Sequence, residues 1–300
     1  MTDIAVIGGG IAGLTAAIYA VRAGKQVTVI EKDCLGGQII YSPMVENYPG
    51  IPRMSGEIFA EHLQEQAEEL GASIEYGEVV EIEKEDDHFV VRYEEEIRSK
   101  AVILALGAAH RKLGLEGEED LTGCGVSYCA VCDGAFYEGM DVAIVGGGNT
   151  ALQDALFLSN TCSSVTVIHR RNEFRGDDRL VKQLEKRHNV RYLMSHLVSA
   201  LDQTDGEFSG ITVRNLQTGK EEHLPVKGLF VAVGQSPQTR AFASLAQTDK
   251  AGYLVAGENC ESSAPGIFIA GDCRTKEIRQ LTTAAADGAV AALAACNYIG

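Results

Sequence analysis

The feature that most limits what this chain can fold into is a segment it carries twice. Placing Ala5 on Ala143 and sliding along without a gap sets Gly8 on Gly146, Gly10 on Gly148 and Gly13 on Ala151. The same alignment carries Val27-Thr28-Val29-Ile30 onto Val165-Thr166-Val167-Ile168, at a constant offset of 138 residues. Each copy reads as a buried strand, a glycine-rich turn, a helix and a second buried strand. That order is a βαβ unit, whose two strands run parallel because a helix crosses over between them. A chain of 300 residues has room for about two domains with separate cores. The fold class expected is therefore α/β, with two Rossmann-like, three-layer dinucleotide-binding domains.

In the first copy, residues 4–7 form the strand, 8–13 the turn and 14–23 the helix, and the strand 27–30 ends at Glu31. The turn reads G-x-G-x-x-G, and the acid follows 18 residues after its last glycine. Gly8 permits the tight turn, and Gly10 lets backbone N–H groups reach a pyrophosphate. Gly13 lets helix and strand approach, and Ile11 and Ala12 supply the first helical N–H groups. Glu31 is placed to accept hydrogen bonds from an adenosine ribose. In the second copy Gly146, Gly148, Asn149, Thr150 and Ala151 occupy the turn. Glu31 and Lys32 are replaced there by His169 and Arg170, followed by Arg171 and Arg175. An acid repels a 2′-phosphate, whereas guanidinium groups grip one through charge-assisted hydrogen bonds. The first site should take an unphosphorylated adenosine such as that of FAD, and the second NADPH. Arg179 extends the basic cluster, for which a solvated charged face is the alternative.

Ten residues before the second copy's first strand lies Cys129-Ala130-Val131-Cys132-Asp133-Gly134. Two cysteines at this spacing can close a small disulfide, and the motif lowers the thiol pKa. Asp133 can pass a proton to or from a sulfur if burial raises its pKa. A dithiol beside a dinucleotide loop points to electrons moving from a nicotinamide to a disulfide. Cys124, Cys129 and Cys132, with Cys162 beyond, also have the spacing of a plant-type [2Fe–2S] ligand set. Against that, Cys162 falls after the helix of its βαβ unit, away from the ligand-binding end. Zinc would need a second Cys or His pair of matching spacing. No metal is expected. Cys34, Cys260, Cys273 and Cys296 read as small buried side chains, and Cys273 is the one to check for reactivity.

Between these motifs, Gly36-Gly37-Gln38 and residues 45–50, with Asn47, form loops suited to flavin contacts. Residues 56–70 are periodic for an amphipathic helix with Ile58, Leu63, Ala67 and Leu70 on its apolar face. Strands are expected over 73–83, 89–93 and 101–106, the last ending at Gly107, after which 112–122 reads as a connector. A helix over 178–188 is followed by strands near 190–194, 211–215 and 222–226. The buried strand 229–233, ending at Gly234, echoes 103–107. These two glycine-ended strands mark the crossings between domains, so the tail returns to the first domain. In that tail Asp272 ends a strand, where it can bind polyol hydroxyls. Arg279, Gln280 and Leu281 precede an alanine-rich helix capped by Thr282 or Thr283.

The net charge of -16, from 26 basic and 42 acidic residues, argues against nucleic-acid or anionic-membrane partners, which need a basic footprint. No signal peptide is expected ahead of the first strand, and the apolar tail over 283–299 is too short to span a bilayer comfortably. Eight cysteines scattered over a chain of ordinary core size fit a cytoplasmic protein with one functional pair.

Both glycine loops, the dithiol, the basic cluster and Gly271-Asp272 with Arg279-Gln280 occur in an order that resembles the low-molecular-weight thioredoxin reductases over essentially the whole chain. The resemblance implies a split FAD domain, residues 1–111 and 240–300, with an NADPH domain, 112–239, inserted into it. It implies a homodimer, and adds Gly37, Gln38, Asn47, Val80, Gly107 and Gly234 to the cofactor contacts. It further implies hydride transfer from NADPH to the flavin, opening of the Cys129–Cys132 disulfide with Asp133 as proton donor, and thioredoxin as the partner reduced. The two domains of this family rotate relative to each other, exposing the dithiol to flavin or to partner in turn. Cys132 is the sulfur expected to face the flavin and attack the partner, with Cys129 resolving. Val131 and Leu106 stand where the family often has threonine. A ferredoxin-dependent reductase, a small-molecule dithiol oxidase and a non-catalytic redox sensor are the alternatives.

Overall fold

The computed structural model describes residues 1–42 and 44–300. The chain divides into two compact units, Met1–Ala109 with Ser236–Gly300, and His110–Gln235. In chain order the first unit begins with β1 (Thr2–Ile7), α1 (Ile11–Arg22), β2 (Val27–Glu31), α2 (Gly56–Glu69) and β3 (Ser73–Tyr76). It continues through β4 (Glu81–Glu85), β5 (His88–Arg92) and β6 (Glu96–Leu104) to the crossing strand β7 (Ala108–His110). The second unit holds β8 (Val126–Ser127), α3 (Ala130–Asp133), β9 (Asp141–Gly146), α4 (Asn149–Leu158) and β10 (Ser164–His169). Next come α5 (Asp178–Leu184), β11 (Val190–Met194), β12 (His196–Thr204), β13 (Glu207–Asn215), β14 (Glu221–Leu224) and β15 (Gly228–Ala232). The chain returns through β16 (Gln235–Pro237) to β17 (Ile267–Ile269) and α6 (Leu281–Ile299) of the first unit.

The internal repeat extends to hydrogen-bond register. β1 pairs parallel with β2 so that Ile4 faces Val27 and Ile7 faces Ile30. β9 pairs parallel with β10 so that Val142 faces Val165 and Val145 faces Ile168. These are the same partners displaced by the sequence offset. Both central strands are buried on their two faces, which is why they read as continuous apolar runs and not as alternation. The sheet order is β3-β2-β1-β6-β5-β4 in the first unit, with β17 also on β6, and β11-β10-β9-β15-β8 in the second. Parallel βαβ crossovers put the glycine turns at the carboxyl ends of β1 and β9, where such sheets bind ligands.

α6 packs on α1, and a Cβ at Gly288 would lie 2.2 Å from the carbonyl oxygen of Ala12. Only glycine allows that approach, and it sets the depth at which the alanine-rich helix seats against the first glycine turn. Among the described residues, no helix is long and apolar enough to cross a membrane.

Several local expectations need correction. α2 buries Phe59, Ala60 and Ala67, while Ile58 is exposed, because the stripe follows 59, 63, 67 and 70. The stretch 73–83 is two strands broken at residues 77–80, and the helix begun at Asp178 stops at Leu184. β12 was not expected, since its burial is irregular and its pairing with β13 is broken by two register shifts. Cys34 is exposed, in the turn after β2, whereas Cys260, Cys273 and Cys296 are buried. The residue capping α6 is Gln280, and Thr283 answers it by accepting from the Gln280 N–H at 3.1 Å.

Candidate functional sites

In the first unit the turn after β1 is shaped to leave α1 uncapped and open. Gly10 precedes the helix with extended backbone and no capping side chain, and its nearest neighbour on the Cβ side is Gly36 O, at 3.8 Å. The first helical N–H groups are therefore free to meet an anion. Gly13 is required for packing, since a Cβ there would sit 1.9 Å from Gly8 O. Gly8 holds φ +105 against Ala105 O, a backbone that L side chains rarely adopt.

Glu31 is buried at the end of β2, where Oε2 accepts from the N–H of Gly9 at 2.6 Å and Oε1 from that of Asp33 at 2.9 Å. The carboxylate is thus fixed at the lip of the turn, while Lys32 beside it is exposed and pairs with Asp33 at 3.8 Å. Gly36 N–H donates to Gly9 O at 2.8 Å, bringing Gly37 and Gln38 alongside the same turn. Val80 is exposed and follows a turn anchored by Gly77 N–H on Glu31 O, at 2.9 Å.

The tail adds a second cluster to this unit. Asp272 is half-buried, and its Oδ1 is buried without a hydrogen-bond partner. Burial raises its pKa, and Lys276 and Arg279 act in the opposite sense. Arg279 lies over the Tyr253 ring at 4.1 Å and donates from Nε to Asp272 O at 3.2 Å. Gln280 Oε1 accepts from Asn47 Nδ2 at 3.5 Å, so two residues 233 positions apart meet. Gly107 holds φ +66, with open space on its Cβ side. An uncapped helix N-terminus, a fixed carboxylate and a half-buried acid with one unpartnered oxygen fit a dinucleotide with a pyrophosphate and polyol hydroxyls.

Beneath Asp272 lies a group of residues that sequence reasoning missed. Asp287, on α6, accepts from Arg274 Nη2 at 2.8 Å and from Lys276 Nζ at 2.8 Å, all three side chains being buried. Its Oδ2 also accepts from the Gly271 N–H at 3.1 Å. Cys273 is buried, with Sγ toward Ala270 O at 3.3 Å, and burial pushes its thiol up to about 12. It has none of the character of a reactive cysteine.

The second unit carries the other glycine turn. Gly148 precedes α4 with no capping side chain and open space where a Cβ would stand. Asn149 Oδ1 accepts from the Asp177 N–H at 2.7 Å, and Arg175 N–H donates to Gly147 O at 2.7 Å. The basic loop is therefore bonded directly to the glycine turn. His169 is buried against Gly147 and stacks on Phe174 at 5.6 Å. Burial lowers its pKa, aided by Arg175, Arg171 and Arg170, so the ring is neutral at pH 7, with Nε2 unpartnered. Arg170, Arg171 and Arg175 are exposed, and among the described residues none has a carboxylate partner. Arg179, by contrast, is paired with Asp177 at 3.1 Å. Gly234 O accepts from the Arg111 N–H at 3.0 Å. A free guanidinium cluster with neutral His169 beside an uncapped helix fits a dinucleotide bearing an extra phosphate.

The dithiol sits on α3, a single turn entered from β8. Cys129 caps it, its Sγ accepting from the Cys132 N–H at 3.2 Å, and the two cysteines form a disulfide with their Cα atoms 5.3 Å apart. Asp133 is half-buried; burial raises its pKa, and a hydrogen bond from Ser127 acts against that rise. Ser127 Oγ is 2.6 Å from Asp133 Oδ2, and Oδ1 is buried without a partner. Val131 and Phe136 are exposed beside the disulfide in sequence.

The connector before it is a built turn. Glu118, 2% exposed, accepts from the N–H groups of Leu113, Gly114 and Leu115 and from Tyr128 Oη, which pins the residue preceding Cys129. His110 stacks on Tyr128 at 5.3 Å. Cys124 is a free, exposed thiol. An acid three to five residues after Leu113-Gly114-Leu115 was the only available signal of this turn.

A disulfide followed by an acid, in a chain with two dinucleotide turns, defines an oxidoreductase of disulfides. The family model for pyridine nucleotide-disulphide oxidoreductases matches residues 2–288, and the chain belongs to that family. Within it, the chain is similar to thioredoxin reductases. It is 38% identical to the thioredoxin reductase of Listeria innocua over 298 residues, 99% of this chain and 93% of that protein. The crystal structure of thioredoxin reductase from Streptococcus pyogenes superposes with TM-score 0.94 at 38% identity, covering 99% and 98% of the two chains. That of Giardia duodenalis gives TM-score 0.92 at 34% identity, with 99% and 98% covered.

Proposed function

We propose that this chain is an NADPH-dependent, FAD-linked thioredoxin reductase acting through Cys129 and Cys132. The observation that carries the reading is the Cys129–Cys132 disulfide, joined to a half-buried Asp133 with one unpartnered oxygen. The first unit is the FAD domain: the N-terminus of α1 takes the pyrophosphate, Glu31 the adenosine ribose, and Asp272 the ribityl chain. The second unit is the NADPH domain, with α4 holding the pyrophosphate and Arg170, Arg171 and Arg175 the 2′-phosphate. A bound flavin supplies the two-electron relay between nicotinamide and disulfide.

Reduction of the disulfide breaks one S–S bond and adds two electrons, leaving two sulfurs that take up protons. Asp133, with its raised pKa, holds a proton for the first sulfur to depart. Cys132 then attacks the disulfide of thioredoxin, forming a mixed disulfide and releasing the other partner sulfur with the electron pair of the broken bond. Cys129 attacks that mixed disulfide, restoring the Cys129–Cys132 bond and freeing reduced thioredoxin. Such a homodimeric enzyme would act in the cytoplasm.

The test is an NADPH-driven assay with and without thioredoxin, comparing wild type with Cys132→Ser. The expected result is thioredoxin-dependent oxidation of NADPH by the wild type, and loss of it in the variant with the yellow flavin retained. A colourless protein that takes up no FAD refutes the reading. Flavin bleached by reduced ferredoxin but not by NADPH refutes the choice of electron donor. Rapid peroxide formation from a small dithiol, without thioredoxin turnover, makes the chain a dithiol oxidase instead.

A further inference from the structure

Ser127 belongs to none of the motifs read from the sequence, yet its hydroxyl is the point where the dithiol turn and Asp133 are joined. Strand pairing with β15 sets Phe230 opposite Ser127 and fixes its backbone, and the residue is 3% exposed. Its Oγ accepts from the Cys129 N–H at 3.1 Å and lies 2.6 Å from Asp133 Oδ2. The Cys129 carbonyl oxygen, at 3.4 Å, is the weaker claimant for the same hydroxyl hydrogen. The hydrogen therefore goes to Asp133, in a chain from the Cys129 amide through Ser127 to Oδ2. Oδ1 is buried and has no partner.

We propose that Ser127 is a positioning residue for proton transfer at the dithiol: by donating to Oδ2, it leaves Oδ1 as the atom of Asp133 that carries and gives the proton. The proposal rests on Asp133 acting as the acid in the reaction above. In the exchange step Cys132 thiolate forms a bond to one sulfur of the partner disulfide and the partner S–S bond breaks. Asp133, left a carboxylate by reduction of the internal disulfide, first takes the Cys132 proton as the thiolate forms. The departing partner sulfur then takes the electron pair of the broken bond and that proton from Oδ1, and Asp133 is again a carboxylate. The resulting carboxylate keeps the Ser127 hydrogen bond, so the acid does not swing away between turnovers.

The ionisable groups near Asp133 make the serine more important. Tyr137, on the following turn, is pushed up to about 12 by burial, with Asp133 and Cys124 adding to the rise. Asp154, the one ionisable side chain of α4, which packs against α3, is pushed up to about 6 by burial. None of these groups is a cation, and among the described residues the Ser127 hydrogen bond is what acts against burial at Asp133.

Two measurements on the FAD-loaded enzyme test this. The first is an infrared titration of the Asp133 carboxyl, assigned by its loss in Asp133→Asn and separated from Asp154 by Asp154→Asn. The second is the pH profile of single-turnover exchange between NADPH-reduced enzyme and thioredoxin. In Ser127→Ala the carboxyl midpoint should move to higher pH, because the donor favouring the charged form is gone. On the acid plateau, where the carboxyl is fully protonated, the exchange rate should fall by up to about tenfold, the worth of a hydrogen bond to a charged group, and the alkaline limb should move up with the midpoint. Ser127→Thr keeps the hydroxyl and should restore both. Ser127→Cys keeps the size with a weaker donor, and decides the matter if Ser127→Ala does not fold.

An unchanged midpoint and an unchanged profile in the hydroxyl-less variants overturn the role of Ser127. If Asp133→Asn leaves exchange unaffected, the acid assignment itself falls, and the proposal falls with it. If wild type fails to reduce thioredoxin at all, the infrared midpoint still decides whether Ser127 governs Asp133.

Discussion

Replacing Asp287 with asparagine would leave Arg274 and Lys276 buried around a neutral amide. Asp287 now accepts from Arg274 Nη2 at 2.8 Å and Nε at 3.2 Å, from Lys276 Nζ at 2.8 Å and from the Gly271 N–H at 3.1 Å. Asparagine has one acceptor oxygen for these four donors, and its amide group would face a cation. Removing one partner from a buried ion pair costs about 3–5 kcal/mol, because the remaining charge cannot be resolvated. Two cations share this acid, so the upper part of that range applies, against total stabilities of about 5–15 kcal/mol.

The pH dependence fixes the cause. Burial alone would raise the Asp287 pKa, but the hydrogen bonds from Arg274 and Lys276 outweigh it and hold the carboxyl below the usual range. A group depressed in the folded state contributes stability above its unfolded pKa, about 4, and loses it as pH falls through the folded value. Urea unfolding followed by circular dichroism should show the full difference at pH 7. Below pH 4 the variant and the wild type should converge. A difference under about 1 kcal/mol at pH 7 would refute the buried-cluster account, since exposed pairs are worth no more than that. A full difference that persists unchanged in acid would show a packing defect in place of a lost charge. The Gly271 bond to Asp287 adds a second readout: release of the turn bearing Asp272 should weaken flavin retention in the variant.

Changing Arg170 and Arg175 together to alanine should reduce the preference for NADPH over NADH about 10–100-fold, from loss of charge-assisted bonds to the extra phosphate; the ratio of kcat/KM for the two nucleotides measures it. Iodoacetamide at pH 8 should label the exposed Cys34 and Cys124 in the folded protein and spare Cys273, whose thiol burial pushes up to about 12; peptide mass spectrometry reads the sites, and labelled Cys273 would contradict its burial. Gly13→Ala should abolish flavin uptake, since the new methyl would stand 1.9 Å from Gly8 O; the absorbance of the purified variant shows it.

Much of this architecture was written in local pattern. Buried parallel strands demand unbroken apolar runs, so β1, β2, β9 and β10 stood out, and the structure carries the shared offset through to their register. The glycine turns and the dithiol were equally plain, because their chemistry fixes spacing within a few residues. What escaped notice depends on partners far apart in sequence or on side chains with many ordinary roles. Asp287 lies within a tail that reads as apolar, and only α6 brings it against Arg274 and Lys276. Glu118 sits in the stretch that reads as a connector and Ser127 just beyond it, and only folding puts their oxygens beside three backbone amides and Asp133 respectively. Ile58 was assigned to the buried face of α2 through a one-residue error in phase, which rotates a helical stripe by about 100°.

The route of the chain has a consequence for synthesis. β17 lies parallel to β6, with Ile267 opposite Val102, and α6 packs on α1, so the first unit is closed only by residues that are synthesised after the whole of the second unit. Until then its sheet lacks a strand and α1 is bare along one side. The unit spanning His110–Gln235 has all its strands in hand before β17 and α6 are made. The enclosed half can therefore mature while its host is still unfinished, and the nascent host, exposing apolar surface, is the half that would need shelter from aggregation.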